Sequence, residues 1–125
     1  MTDRLLEGKR ILLVEDEFLI ALDIADTLTN AGAEVIGPCT SLRQALDHAG
    51  MPGLDLAMLD IDLNGEEVFP AASLLRKRGV PFLFYTGQPE REVLRTEFAE
   101  IPVCVKPVTP QRLIDTLARM MALAA

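Results

Sequence analysis

Carboxylates follow two of the apolar runs in this sequence, and a hydroxyl and an ammonium follow two others. Glu15-Asp16-Glu17 comes after RILLV, and Asp60 ends LDLAMLD, with Asp62 two positions on and Asn64-Gly65 breaking the run. Thr86 ends VPFLFYT, and Lys106 follows IPVCV. Brought together, Glu15, Asp16 and Asp60 would repel one another, so they must either raise a pKa or recruit a cation. Oxygen ligands with room for water suit Mg²⁺, and Mn²⁺ could take its place. A cation there would let Asp60 approach a phosphoryl donor, and a carboxylate nucleophile then forms an aspartyl-phosphate. Lys106 would neutralise one phosphoryl oxygen and Thr86 would hydrogen-bond another. Taken singly, each residue also has an ordinary role. Asp60 could be a strand-end carboxylate, Glu15 and Asp16 charges favoured at a helix N-terminus, Thr86 a strand residue and Lys106 a solvated lysine. It is their joint appearance at successive run ends that points to chemistry.

Something must bring these ends together. Five apolar runs, Arg10–Val14, Glu34–Cys39, Leu54–Asp60, Val80–Thr86 and Ile101–Val105, alternate with amphipathic stretches. They are continuous rather than alternating, as strands covered on both faces should be. Phe18, Leu19, Leu22, Ile24, Ala25 and Leu28 recur at helical spacing, with Ala31-Gly32 as the stop. Ser41 can cap a second helix through about His48. A third helix is expected from about Glu67 to Lys77, and a last one from about Pro110 to Ala122 with Leu113, Ile114, Leu117, Met120 and Met121 on one face. Pro89–Glu100 is the weakest helical segment: it has only Val93, Leu94 and Phe98 as large apolar residues, which predicts loose packing. Strand–helix alternation implies right-handed crossovers and a parallel, doubly wound α/β sheet. Ligands of such sheets bind outside the carboxyl ends of the strands, where all of these polar residues would lie.

The bulk numbers narrow the classes. The chain has 125 residues, half of them hydrophobic and a quarter charged, which suits one globular domain rather than a disordered segment. Nineteen acids against twelve bases give a net charge of −7, which argues against binding nucleic acid or an anionic membrane. No run approaches the roughly 18–20 apolar residues of a membrane span, and residues 1–10 lack the apolar core of a signal peptide. Cys39 and Cys104 stand apart without metal-ligand spacing, as buried thiols of a reducing cytoplasm would. His48 has no metal-binding companion.

The motifs ILLVEDE, LAMLDIDLNG, FLFYTG and CVKPV together resemble the receiver domain of two-component response regulators over essentially the whole chain. The resemblance implies a flavodoxin-like (βα)5 fold with strand order 2-1-3-4-5, residues 1–125 forming a single receiver without an output domain. It implies Asp60 as phosphoacceptor, with Thr86 and Lys106 assisting. Mg²⁺ would be held by Asp16 and Asp60 side chains, by the backbone carbonyl of Asp62, and by Glu15 through water. It also implies a cis Lys106–Pro107 bond, a cytoplasmic location, and a sensor histidine kinase or phosphotransfer protein as donor. The protein would signal to another protein or act as a phosphate sink, with no catalysis beyond its own phosphorylation and dephosphorylation. LNGEEVFPAASLLRKRGVPFLFYTG is similar, more narrowly, to alphaproteobacterial stand-alone receivers with a PFxFATG signature, with Tyr85 at the usual Ala and Gln88 where an aromatic often follows the Gly. Val103 departs from the family, which often has an aromatic there that moves with the Thr, and Asn64-Gly65 replaces a more familiar Pro-Gly. Two other functions stay in view. One is a receiver-like adaptor working without phosphorylation. The other is a haloacid-dehalogenase-type phosphatase, suggested by the DxD of Asp60 and Asp62 with Thr86 and Lys106 following in that family's order; against it, Leu63-Asn64 replaces the usual Thr or Val, no acidic pair follows Lys106 and no cap insertion is present.

Overall fold

A computed structural model describes residues 4–124. Five strands, β1 (Arg10–Val14), β2 (Glu34–Cys39), β3 (Leu56–Asp60), β6 (Phe82–Thr86) and β7 (Val103–Val105), form one parallel sheet in the order β2-β1-β3-β6-β7. Counted as the five apolar runs, this is the expected order 2-1-3-4-5. Between β3 and β6 lies an antiparallel pair, β4 (Asp62–Leu63) and β5 (Glu66–Glu67). Helices α1 (Phe18–Asn30), α2 (Leu42–Ala49), α3 (Phe69–Lys77), α4 (Glu92–Thr96) and α5 (Pro110–Ala124) complete the chain.

The continuous runs have a direct structural meaning. Successive strand residues point to opposite faces of a sheet, and both faces here are covered. Leu12, Val14, Leu59, Phe82 and Phe84 pack on one side with residues of α2, α3 and α4, while Ile11, Leu13, Met58, Leu83 and Tyr85 pack on the other with α1 and α5. No position along β3 or β6 can then be polar until the strand ends. Each fully buried Leu or Phe contributes about 1.5–3 kcal/mol relative to exposure, so these central strands carry much of the apolar stabilisation.

Strand starts are later than the apolar runs suggest. Pro81 and Pro102 precede β6 and β7 and have no N–H to offer a ladder, although their carbonyls accept from Ala57 (3.1 Å) and Phe84 (3.0 Å). β3 starts after Asp55, whose carboxylate accepts from the Arg10 N–H at 2.8 Å. Helix α3 begins at Phe69 rather than near Glu67, because Glu66 and Glu67 pair with β4. The turn of that hairpin is Asn64-Gly65, with φ of 54° and 91°. Positive φ at both central positions is the turn that Asn-Gly favours.

Ser41 caps α2 by accepting from the Gln44 N–H at 3.2 Å, as its position in the sequence implies. Helix α1 forms where the helical spacing places it, but its apolar residues divide between two faces. Ala21, Ile24 and Leu28 are its buried residues, whereas Phe18, Leu19 and Leu22 are 60%, 79% and 45% exposed. Helix α4 has only five residues, but its surroundings are not loose. Leu94 and Phe98 are buried, and Phe98 lies within 5.3–6.4 Å of the rings of Phe69, Phe82 and Phe84. Three more aromatic rings, supplied by β6 and α3, make up for the few apolar residues of the segment itself.

Candidate functional site

The carboxyl ends of β1, β3, β6 and β7 meet at one edge of the sheet, and the backbone ladder sets their heights. The Glu15 N–H donates to the Cys39 carbonyl at 2.9 Å, and the Lys106 N–H to the Thr86 carbonyl at 2.8 Å. Both residues thereby continue their strands by one step. Asp60 lies opposite Tyr85 in the β3–β6 register.

Carboxylate oxygens of Glu15, Asp16 and Asp60 lie within 4.8 Å of one another. Glu15 is fully buried, and Asp60 and Thr86 are 6% and 5% exposed. Lys106 reaches across the cluster, its Nζ 3.2 Å from Asp60 Oδ1 and 3.3 Å from Glu15 Oε1. Other lone pairs are met by the backbone. Glu15 accepts from the Glu17 N–H (3.1 Å), Asp16 from the Asn64 N–H (3.1 Å) and Asp60 from the Ile61 N–H (2.9 Å). Thr86 Oγ1 accepts from the Gln88 N–H at 2.9 Å. The Asp62 carboxylate is exposed and accepts from the Gly65 N–H (3.0 Å), so it serves the hairpin turn rather than the cluster.

Electrostatics follow from this packing. Burial raises the Asp60 carboxyl to about 7, the Glu15 charge adding to the rise and Lys106 offsetting part of it. For Asp16, burial pushes upward but is outweighed by hydrogen bonding with the Glu15 and Asp60 carboxyls and the Asn64 N–H, so its pKa is lowered. Burial would likewise lower Lys106, but Asp60 and Glu15 hold it above its ordinary value.

A cleft of about 340 Å³ opens beside the cluster, lined by Asp16, Glu17, Asp60, Thr86, Arg91 and Lys106 among others. The structure thus brings together Glu15, Asp16, Asp60, Thr86 and Lys106, with Asp62 at the rim. Sequence reasoning missed Arg91, which lies in a stretch dominated by Glu90, Glu92, Glu97 and Glu100. No motif marks it; only the return of the loop after β6 brings it to the cleft. Tyr85 also stands closer to the chemistry than its strand position implies. Its ring points to the α1–α5 side, yet it lies 4.9 Å from Lys106 Nζ. Val103 packs with the opposite layer, and the Lys106–Pro107 bond is cis, as the family resemblance implied. His48 bonds the Gln44 carbonyl at 2.9 Å, and both cysteines are buried and free.

A parallel 2-1-3-4-5 sheet with three acidic groups, a Thr and a Lys at its carboxyl edge is the receiver domain of a response regulator, and the chain belongs to that family. Among curated relatives it is 28% identical over 112 residues to the transcriptional regulatory protein PdtaR of Mycobacterium tuberculosis, covering 87% of this chain and 55% of that one. SdrG from Sphingomonas melonis, a solved structure, is 33% identical with a TM-score of 0.78, over 91% of this chain and 97% of that one. The response regulator PhyR from Brucella abortus superposes with a TM-score of 0.80 at 26% identity, over 96% of this chain and 51% of that one. The chain spans about half the length of the first of these relatives. No family model matches it. Among the described residues, no helix is long and apolar enough to cross a membrane.

Proposed function

We propose that this chain is a response regulator of a two-component phosphorelay, working in the cytoplasm and accepting a phosphoryl group on Asp60 from a phosphohistidine donor. The observation that carries this is the cluster itself, in which a buried carboxylate of raised pKa is joined to a lysine at 3.2 Å, beside a hydroxyl and an open cleft. Asp60 Oδ would attack phosphorus in line as the P–N bond to the donor imidazole breaks and the imidazole leaves with the bonding pair. Lys106 would shift from Asp60 toward a phosphoryl oxygen, and Thr86 would turn its hydroxyl from accepting the Gln88 N–H to donating to another.

The donor set fits Mg²⁺ or Mn²⁺: three mutually close oxygen ligands, no nitrogen or sulfur, and adjacent space for water. Asp16 and Asp60 would hold the ion, with Glu15 acting through water because its oxygens already serve Lys106 and the Glu17 N–H. The Asp62 carbonyl would complete the set. The bound ion supplies charge neutralisation between carboxylates and phosphoryl oxygens.

The narrower reading, a PFxFATG-type stand-alone receiver, rests on the sequence motif. Output would run through a protein partner or through a phosphate-sink role. The test is intact-mass measurement after incubation with acetyl phosphate and Mg²⁺, wild type beside Asp60→Asn. A labile single phosphoryl gain in wild type alone supports the reading. Equal gain in both removes Asp60 as acceptor. No gain with acetyl phosphate or with a phosphorylated histidine donor favours the phosphorylation-independent adaptor.

A further inference from the structure

We propose that Arg91 is a phosphoryl-binding residue held in reserve by Glu67, and that phosphorylation of Asp60 trades one partner for the other. The inference rests on Asp60 being the acceptor. Arg91 lines the cleft that Asp60, Thr86 and Lys106 also line. Its Nη2 is ion-paired with the Glu67 carboxylate, and its Cζ lies 5.4 Å from the centre of the Phe69 ring. Glu67 is in β5 of the hairpin that follows the acceptor strand, and Arg91 ends the loop that follows Thr86. One guanidinium therefore ties together the two segments that leave the site.

The charges make this arrangement bistable. The Glu67 side chain is 52% exposed and carries one charge, so water screens the pair and it contributes little. A phosphoryl group on Asp60 carries up to two charges and sits in the cleft beside buried residues, where screening is weaker. Guanidinium matches phosphoryl oxygens with two parallel N–H donors, which an ammonium does not. Phe69 is fixed against Phe84 and Phe98 at 5.8 and 5.6 Å. Its face gives the guanidinium a track to slide along without losing its apolar contact. Five carboxylates, Glu15, Asp16, Glu17, Asp60 and Asp62, lie in or beside the cleft against Lys106 and Arg91, so a second cation also eases entry of an anionic donor. Release of Glu67 then frees the hairpin from the segment entering α4. That gives the phosphorylated state a structural signature although position 103 offers no aromatic ring to follow Thr86.

The test is titration with beryllofluoride in Mg²⁺, followed by calorimetry, for wild type, Arg91→Gln, Arg91→Lys, Glu67→Gln and the Arg91→Gln/Glu67→Gln double variant. Both positions are partly exposed, and thermal unfolding checks each variant's fold. Arg91→Gln should weaken binding by about tenfold, one charge-assisted contact, with Arg91→Lys between it and wild type. Glu67→Gln should tighten binding by about two- to fivefold, because it removes the competitor. The double variant should behave as Arg91→Gln alone. A mere surface tie would shift both single variants the same way or neither, and either result overturns the proposal. Wild type failing to bind beryllofluoride overturns the Asp60 reading and this proposal with it, whereas wild-type binding with Arg91→Gln unchanged overturns only this one.

Discussion

Asp60 is built to hold its proton longer than a free carboxyl, and this has a thermodynamic signature apart from signalling. Its carboxyl titrates near 7 in the fold, against about 3.9 in an unfolded chain. Between those values the folded state binds more protons than the unfolded one, so stability falls as pH rises, by up to about 1.4 kcal/mol per unit, and levels above 7. Denaturant titrations without divalent cations should show this slope between pH 5 and 7. Asp60→Asn should flatten it and unfold at a higher temperature than wild type at pH 7.5; an unchanged slope would mean the carboxyl ionises normally. Lys106 acts in the other direction. Lys106→Met removes the ammonium 3.2 Å from Asp60 and 3.3 Å from Glu15 and should move the Asp60 titration still higher. It should also slow acetyl phosphate-driven phosphorylation by at least tenfold, both readable by NMR titration and phosphoprotein mass. The types and order of these residues were legible in the sequence because chemistry restricts them. Their partners were not: Tyr85 under Lys106 and Arg91 on Glu67 depend on tertiary proximity, which leaves no local pattern.

Among the elements, the helices and central strands were readable because each apolar residue had one period to obey. Edges were not, because they depend on single backbone groups, such as the missing N–H of Pro81 and Pro102. The β4–β5 hairpin shows a signal present but unread: Asn64-Gly65 is a turn signature, masked by the expectation that Glu67 opens a helix. Gly65→Ala should cost about 1 kcal/mol in chemical denaturation. A Cβ at Gly65 meets nothing within 4 Å, so that cost is the φ of 91° alone. Helix α1 carries a larger lesson. Helical spacing finds apolar residues but does not say which of two apolar stripes faces inward, and Phe18, Leu19 and Leu22 face out. Lying directly after Glu15–Glu17, they would, under the proposed function, suit a donor protein's contact surface. Leu19→Asp should therefore slow phosphotransfer from a protein donor by tenfold or more while leaving acetyl phosphate as effective as before; equal slowing with both donors would locate the effect in the site.

For the molecule as a whole, the sheet separates two apolar layers, and the acidic cluster sits where both end. A cation bound at that edge would therefore stabilise the entire fold rather than one loop. With Mg²⁺ at ten times its dissociation constant, linkage would add roughly 1.4 kcal/mol, a rise of about 5 °C in the unfolding midpoint for a domain of this size. Scanning calorimetry with and without Mg²⁺ should show this for wild type and much less for Asp60→Asn. The partition of aromatic rings between the layers has a practical consequence. Phe69, Phe82, Phe84 and Phe98 all lie on the α3–α4 side, the chain has no tryptophan, and its one tyrosine lies on the other side beneath Lys106. All tyrosine emission therefore originates 4.9 Å from the Lys106 ammonium, the group that the proposed phosphorylation of Asp60 would displace. Under the proposed function the tyrosine would be an optical reporter of the site, and ultraviolet fluorescence of unlabelled protein should follow the arrival and loss of a phosphoryl group in real time.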